Sequence, residues 1–179
     1  MTAISPKNWT ITLRYSGLFD FDGLYAAVID WAKNYGYKWH EFTYKHKVPN
    51  PKGAEQELDW IIEKNVTSYL QYSILFTIHT WDQNEVEVDI DGKKKNLTNA
   101  RLYIIMKGTI TTDWQKKFKG GRIAQKLGEW YEKYVFKKEL ESIYGDQLYY
   151  RMWNLHALLK KYFDMQTQKY AYKGYLGEH

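Results

Sequence analysis

The apolar residues of this chain change period once, and that change limits the fold more than any other feature. From Tyr37 to Thr111 they recur at every second position, and beyond Gln115 they recur at helical spacing. A period of two places successive side chains on opposite faces of a strand, whereas a period near 3.6 gathers them on one side of a helix. Leu58, Trp60 and Ile62 alternate within 57–63. Leu70, Tyr72, Ile74, Phe76 and Ile78 do so within 67–81, and Leu102, Ile104, Met106 and Ile110 within 100–111. Each run predicts a strand with these residues inward. Val86, Val88 and Ile90 alternate with Glu85, Glu87 and Asp89, which with Asp91 make an acidic strand face. Asp91-Gly92 is a two-residue hairpin signal, and it sets Asp89 opposite Lys94. A further strand is expected over 37–48, followed by a loop through Pro49, Pro51 and Gly53.

Ahead of this block, Trp9, Ile11 and Leu13 alternate over 9–15, and Ser16-Gly17 is expected to end that strand. A helix over 20–35 follows. Asp20 suits its N-cap, Phe19 and Leu24 have the spacing of a hydrophobic staple, and Asp22 lies where the helix dipole favours an anion. Leu24, Val28, Trp31 and Tyr35 form its apolar stripe, and Gly36 suits its end. After the block, Thr112 to Gln115 fits a capping box that opens a helix over 113–136, with Ile123, Leu127, Trp130, Tyr131 and Tyr134 on one side. A last helix over 138–165 carries Leu140, Tyr144, Leu148, Met152, Leu155, Leu159 and Phe163, with a kink expected at Gly145. The predicted fold is one α+β domain spanning 1–179. Its antiparallel meander of about six to seven strands over 9–15 and 37–111 carries one N-terminal and two C-terminal helices. That order is compatible with a helix-grip arrangement, in which a curved sheet wraps a long C-terminal helix.

Several chemistries are excluded or unsupported. The chain has no cysteine, which removes thiol nucleophiles, Cys-ligated zinc, iron–sulfur clusters and disulfides. No phosphate loop, dinucleotide fingerprint, nucleophile elbow or His-Glu-x-x-His pattern occurs, so no cofactor, metal site or catalytic residue is assigned. In a regular strand His40 and His46 share one face and Glu41 takes the other, which separates the acid from both rings. His79 shares a strand face with Thr77 and Trp81, and His156 sits among leucines of the last helix. The N-terminus lacks the pattern of a signal peptide, and no apolar run approaches the roughly 18 residues of a membrane span. The expected location is cytoplasmic or intravirion. The Asn-x-Thr triplets at Asn8, Asn65 and Asn96 are read as chance.

Charge is concentrated. Residues 1–114 hold 13 basic and 14 acidic residues, 115–138 hold 8 and 2, and 139–179 hold 5 and 5. The net +5 therefore arises in one segment. Lys116, Lys117 and Lys119 fall where a helix is expected to begin, an end that disfavours cations. Gly120 and Gly121 follow, then Arg122 and Lys126. Glycine amides ahead of a helix start can hold an anion, so these seven residues form a candidate site for an anion or nucleic acid.

Two other features suggest partners. The aromatic share is 18%, with 17 tyrosines and 8 tryptophans, and such rings suit half-buried and interfacial positions. Tyr170, Tyr172 and Tyr175 in the tail 166–179 are candidate assembly contacts. Tyr72, Phe76, His79, Met152 and His156 are candidate lining for a small apolar ligand between sheet and last helix. The leading expectation is a non-enzymatic binding or assembly protein whose partner is another copy of itself or a second protein. Binding of nucleic acid or another polyanion by 115–138 is the alternative, and the apolar pocket is the third reading.

Overall fold

The computed structural model describes residues 3–4, 9–50, 53–90, 93–116, 121, 126, 128, 130 and 140–165. The fold is α+β. Six antiparallel strands form one sheet: β1 (Ala3–Ile4), β2 (Thr10–Phe19), β3 (Lys38–Asn50), β4 (Gly53–Asn65), β5 (Leu70–Ile90) and β6 (Lys93–Thr112). Five are long and β1 has two residues. The order runs β3-β4-β5-β6, and β1 and β2 pair with successive stretches of the outer side of β6. Helix α1 (Phe21–Asn34) connects β2 at one edge to β3 at the other. A π-helical turn (Leu140–Gly145) runs directly into α2 (Asp146–Tyr162). Trp31 of α1 donates its Nε1–H to Asn154 Oδ1 of α2 at 2.8 Å. Among the described residues, no helix is long and apolar enough to cross a membrane.

The alternating residues do form the core. Leu58, Trp60, Ile62, Leu70, Tyr72, Ile74, Phe76, Ile78, Leu102, Ile104, Met106 and Ile110 are all buried. Leu148, Met152, Leu155 and Leu159 of α2 are buried against them. Helix and sheet meet closely at Gly108, where a Cβ atom would lie 2.5 Å from Met152 Sδ. The ends of α1 follow local chemistry. Asp20 accepts from Gly23 N at 3.0 Å. At the other end Gly36 takes a φ of 72°, its N–H bonds to Lys33 O, and Tyr37 N bonds to Ala32 O at 2.8 Å, the paired bonds of a Schellman stop.

Four expectations change. First, Ser16-Gly17 does not end β2, which continues to Phe19 with Gly17 at a φ of 144°. Second, the runs 67–81 and 86–90 are one strand, β5, bent by a bulge at Asp82 (φ 54°), and β6 likewise extends from the hairpin to Thr112. Third, of the loop expected through Pro49, Pro51 and Gly53, Pro49 and Gly53 are strand, since β3 reaches Asn50 and β4 starts at Gly53, and Pro51 lies outside the described residues. Fourth, no helix starts at 113. Thr112 is buried as the last residue of β6, Asp113 and Lys116 have φ of 48° and 59°, and Lys116 N closes a turn onto Asp113 O. Positive φ at both positions is incompatible with a right-handed helical turn. Helical backbone is found at Lys126, Gly128 and Trp130.

Candidate functional site

Both helices cover one face of the sheet; the other face carries solvent-accessible side chains, with Leu75 at its centre 36% exposed. Register fixes the neighbours on this open face. One cross-strand row runs Arg14, Tyr103, His79, Glu57, Lys45 from β2 to β3. The next row runs Ser16, Arg101, Trp81. Direct cross-strand neighbours have Cβ atoms about 5 Å apart, close enough for long side chains to stack.

They do stack. The Arg14 guanidinium lies 5.0 Å from the centre of the Tyr103 ring, and Arg101 lies 5.9 Å from the centre of Trp81. His79 stacks on Trp81 with ring centres 3.9 Å apart. The column His79, Trp81, Arg101 is pinned at both ends: His79 Nε2 meets Glu55 Oε1 at 2.7 Å, and Arg101 Nε donates to Asp82 Oδ2 at 2.7 Å. The bond from His79 is the main cause that holds the Glu55 carboxyl below its ordinary range. Arg14, Tyr15, Ser16, Trp81, Arg101, Leu102 and Tyr103 enclose a recess of about 440 Å³.

Charge on this face is divided. On β4, Glu55 and Glu57 are matched by Lys47 and Lys45 of β3 at 3.5 and 3.3 Å. On the β2 side Arg14 has no acidic partner among the described residues, and Lys107 is exposed two rows away. A guanidinium over a ring can still offer N–H groups to the oxygens of an anion, and guanidinium planes can also stack on flat rings. The recess therefore offers donors for an anion and surfaces for an aromatic group within one site.

The residues singled out from sequence are dispersed. Lys116 is exposed in the turn after β6, Gly121 is exposed with a φ of 137°, and Lys126 is exposed on helical backbone. Lys117, Lys119, Gly120 and Arg122 lie outside the described residues, as do Tyr170, Tyr172 and Tyr175. Because no helix starts at 113, the conflict between charge and dipole does not arise at Lys116. The five candidate pocket residues do not share one space. Tyr72, Phe76 and Met152 are buried in the core, and His79 points to the open face because it is odd in a strand whose even positions face inward. His156 is half-buried on α2, edge-on to Trp153, and burial pushes its pKa below the ordinary value. His40 and His46 also separate, because a bulge between Glu41 and Thr43 reverses the facing of β3. His40 pairs with Ile61 on the open side, and His46 pairs with buried Gln56. Among the described residues, no group of three His, Asp or Glu side chains could hold a metal ion.

The sequence reading missed Arg14, Arg101 and Tyr103. Their signal is the hairpin. Counting pairs back from Asp91-Gly92 sets Trp81 opposite Leu102; the bulge at Asp82 moves it to Arg101. The chain matches no protein-family model and no curated protein.

Proposed function

We propose that this is a non-enzymatic binding protein that takes a polyanion on the open face of its sheet, and that the polyanion is single-stranded nucleic acid. The order of two strands, a helix, four strands and a helix among the described residues supports a helix-grip-like arrangement, in which the face away from the helices stays available. The observation that carries the reading is the pair of arginines lying on Tyr103 and Trp81, one of them without an acidic partner among the described residues. Guanidinium planes stack on unpaired bases and bind phosphate through their edges, a combination suited to single strands.

Anisotropy of a labelled single-stranded oligonucleotide, titrated at several salt concentrations, tests the proposal. Binding is expected at low salt and falls as salt rises, and Arg14→Gln reduces the log–log slope by roughly 0.7, the value of one phosphate contact on a single strand. No binding at low salt removes the proposal. Unchanged binding in Arg14→Gln and Arg101→Gln, with loss on neutralising Lys116, Lys117, Lys119 and Arg122, moves the site to the basic segment.

Self-association is a second reading, favoured by one observation. Ile143, Tyr150 and Trp153, on the outward side of the π-helical turn and α2, are 59%, 69% and 42% exposed.

A further inference from the structure

A separate recess of about 250 Å³ lies on the helix-bearing side of the sheet, lined by Tyr37, Lys64, Val66, Tyr72, Gln147 and Arg151. None of the six is acidic. Four parts of the chain meet there: Tyr37 just after α1, the end of β4, the start of β5 and the first two turns of α2. Lys64 Nζ donates to Tyr35 O at 2.7 Å, capping the C-terminal end of α1, and two of its three donors remain. The Arg151 guanidinium lies 4.2 Å from the centre of the Tyr35 ring and has no acidic partner among the described residues. Gln147 accepts the Tyr72 hydroxyl on Oε1 at 3.0 Å, which leaves its amide N–H groups as donors. Tyr72 is thereby committed, since its hydroxyl also lies 2.8 Å from Tyr144 O.

Tyr37 is the telling residue. It is 5% exposed and lines the recess together with Lys64 and Arg151. Burial pushes its pKa up to about 12, despite the opposing effect of Arg151, so it stays a neutral donor. A neutral phenol beside two cations can donate to an acceptor that both cations attract. Among the described residues, no carboxylate lines the recess.

We propose that this recess is a binding site for a small tetrahedral oxyanion, either free phosphate or the phosphate group of a monoester, held by Lys64, Arg151, Tyr37 and Gln147. The volume is below the usual range for whole small-molecule ligands and suits an ion or an end group. The guanidinium presents paired N–H donors to two oxygens, and Lys64 adds a point charge. The site lies across the sheet from Arg14 and Trp81, so it is independent of the proposed polyanion face.

Calorimetry in a phosphate-free, low-salt buffer tests this with inorganic phosphate and with phenyl phosphate as probes. Saturable one-site binding of at least one probe is expected. The tighter probe identifies the source, a free ion or an esterified group. Arg151→Gln is expected to weaken binding by about tenfold or more, the value of a lost charge-assisted hydrogen bond. Tyr37→Phe, which keeps the ring in the core, weakens it several-fold, and Arg14→Gln leaves it unchanged. Should Arg151→Gln fail to fold, Tyr37→Phe and Lys64→Gln decide. The proposal is overturned if neither probe gives saturable heat, if the folded variants bind as the wild type does, or if Arg14→Gln abolishes binding.

Discussion

Asp20 joins three parts of the molecule. Its carboxylate caps α1 through Gly23 N, pairs with Lys95 Nζ of the β5–β6 hairpin arm at 2.6 Å, and its carbonyl accepts the Tyr162 hydroxyl from the end of α2. The Lys95 bond first, and the Gly23 N–H second, hold the carboxyl below its ordinary value of 3.8. A carboxyl lowered in the folded state contributes stability above its unfolded pKa and loses it as pH falls through the folded one. Asp20→Ala is therefore expected to cost about 1 kcal/mol at neutral pH, as for other lost N-caps, and the difference should shrink on acidification below about pH 4. Urea unfolding of both proteins at pH 7 and pH 3 measures this. An equal gap at the two pH values would show that the ionised carboxylate is not responsible. The cap was legible in the sequence because Asp20 and Gly23 are neighbours. The bonds from Lys95 and Tyr162 were not, since they span distant positions that only the tertiary fold brings together. Gly108 shows the same limit. Its place between Met106 and Ile110 marks an inward position, but nothing local shows that Met152 fills the space above it.

At the scale of elements, most strands and the first helix were legible, and the irregularities were not. Alternation locates β4, β5 and β6 because one face of each is buried. It does not reveal the bulge at Asp82, which costs one residue of register and exchanges the two faces of the distal arm. Glu85 pairs with buried Thr98 on the helix side and borders a cleft with Asp20 and Asp22, whereas Val86 turns to the open side. The expected opposition of Asp89 and Lys94 does occur in the register, but Lys94 forms its ion pair with Glu87. The helix start predicted at 113 failed for a related reason: a capping-box pattern is short, and Asp113 and Lys116 adopt positive φ. Asp82 tolerates positive φ better than a branched residue, which has its Cβ against the carbonyl. Asp82→Gly and Asp82→Val both remove the Arg101 pair, so their difference isolates the backbone. Thermal unfolding is expected to place the Val protein about 1–2 kcal/mol below the Gly protein. Equal stabilities would mean that the bulge relaxes to an ordinary φ at small cost.

Across the whole molecule, the candidate surfaces are distributed by face. The helices cover one side of the sheet, the other side carries the Arg14–Tyr103 and Arg101–Trp81 pairs, and α2 presents a third surface to solvent. Charge distribution did not lead from sequence to these surfaces, because Arg14 and Arg101 are isolated along the chain and become neighbours only through strand pairing. The exposed strip on α2 bears on self-association. Tyr150 and Trp153 are three residues apart and therefore adjacent on the helix surface, and Ile143 lies about two turns earlier on the same side. Buried at an interface, large side chains of this kind remove about 150–250 Å² each. Three of them fall short of the roughly 800 Å² per partner of a stable complex. Association through this strip alone is thus expected to be weak and concentration-dependent. Light scattering behind size exclusion, run over a range of loading concentrations, should show a mass that rises above the monomer. Tyr150→Ser with Trp153→Ser should return it to the monomer without changing the unfolding midpoint by more than a few degrees, since both side chains are exposed. Deleting 166–179 separates the tail from the strip: a further loss of mass would assign part of the interface to Tyr170, Tyr172 and Tyr175. A wild-type protein that stays monomeric throughout would leave the strip without a role in assembly, and a double variant that associates like the wild type would place the interface elsewhere.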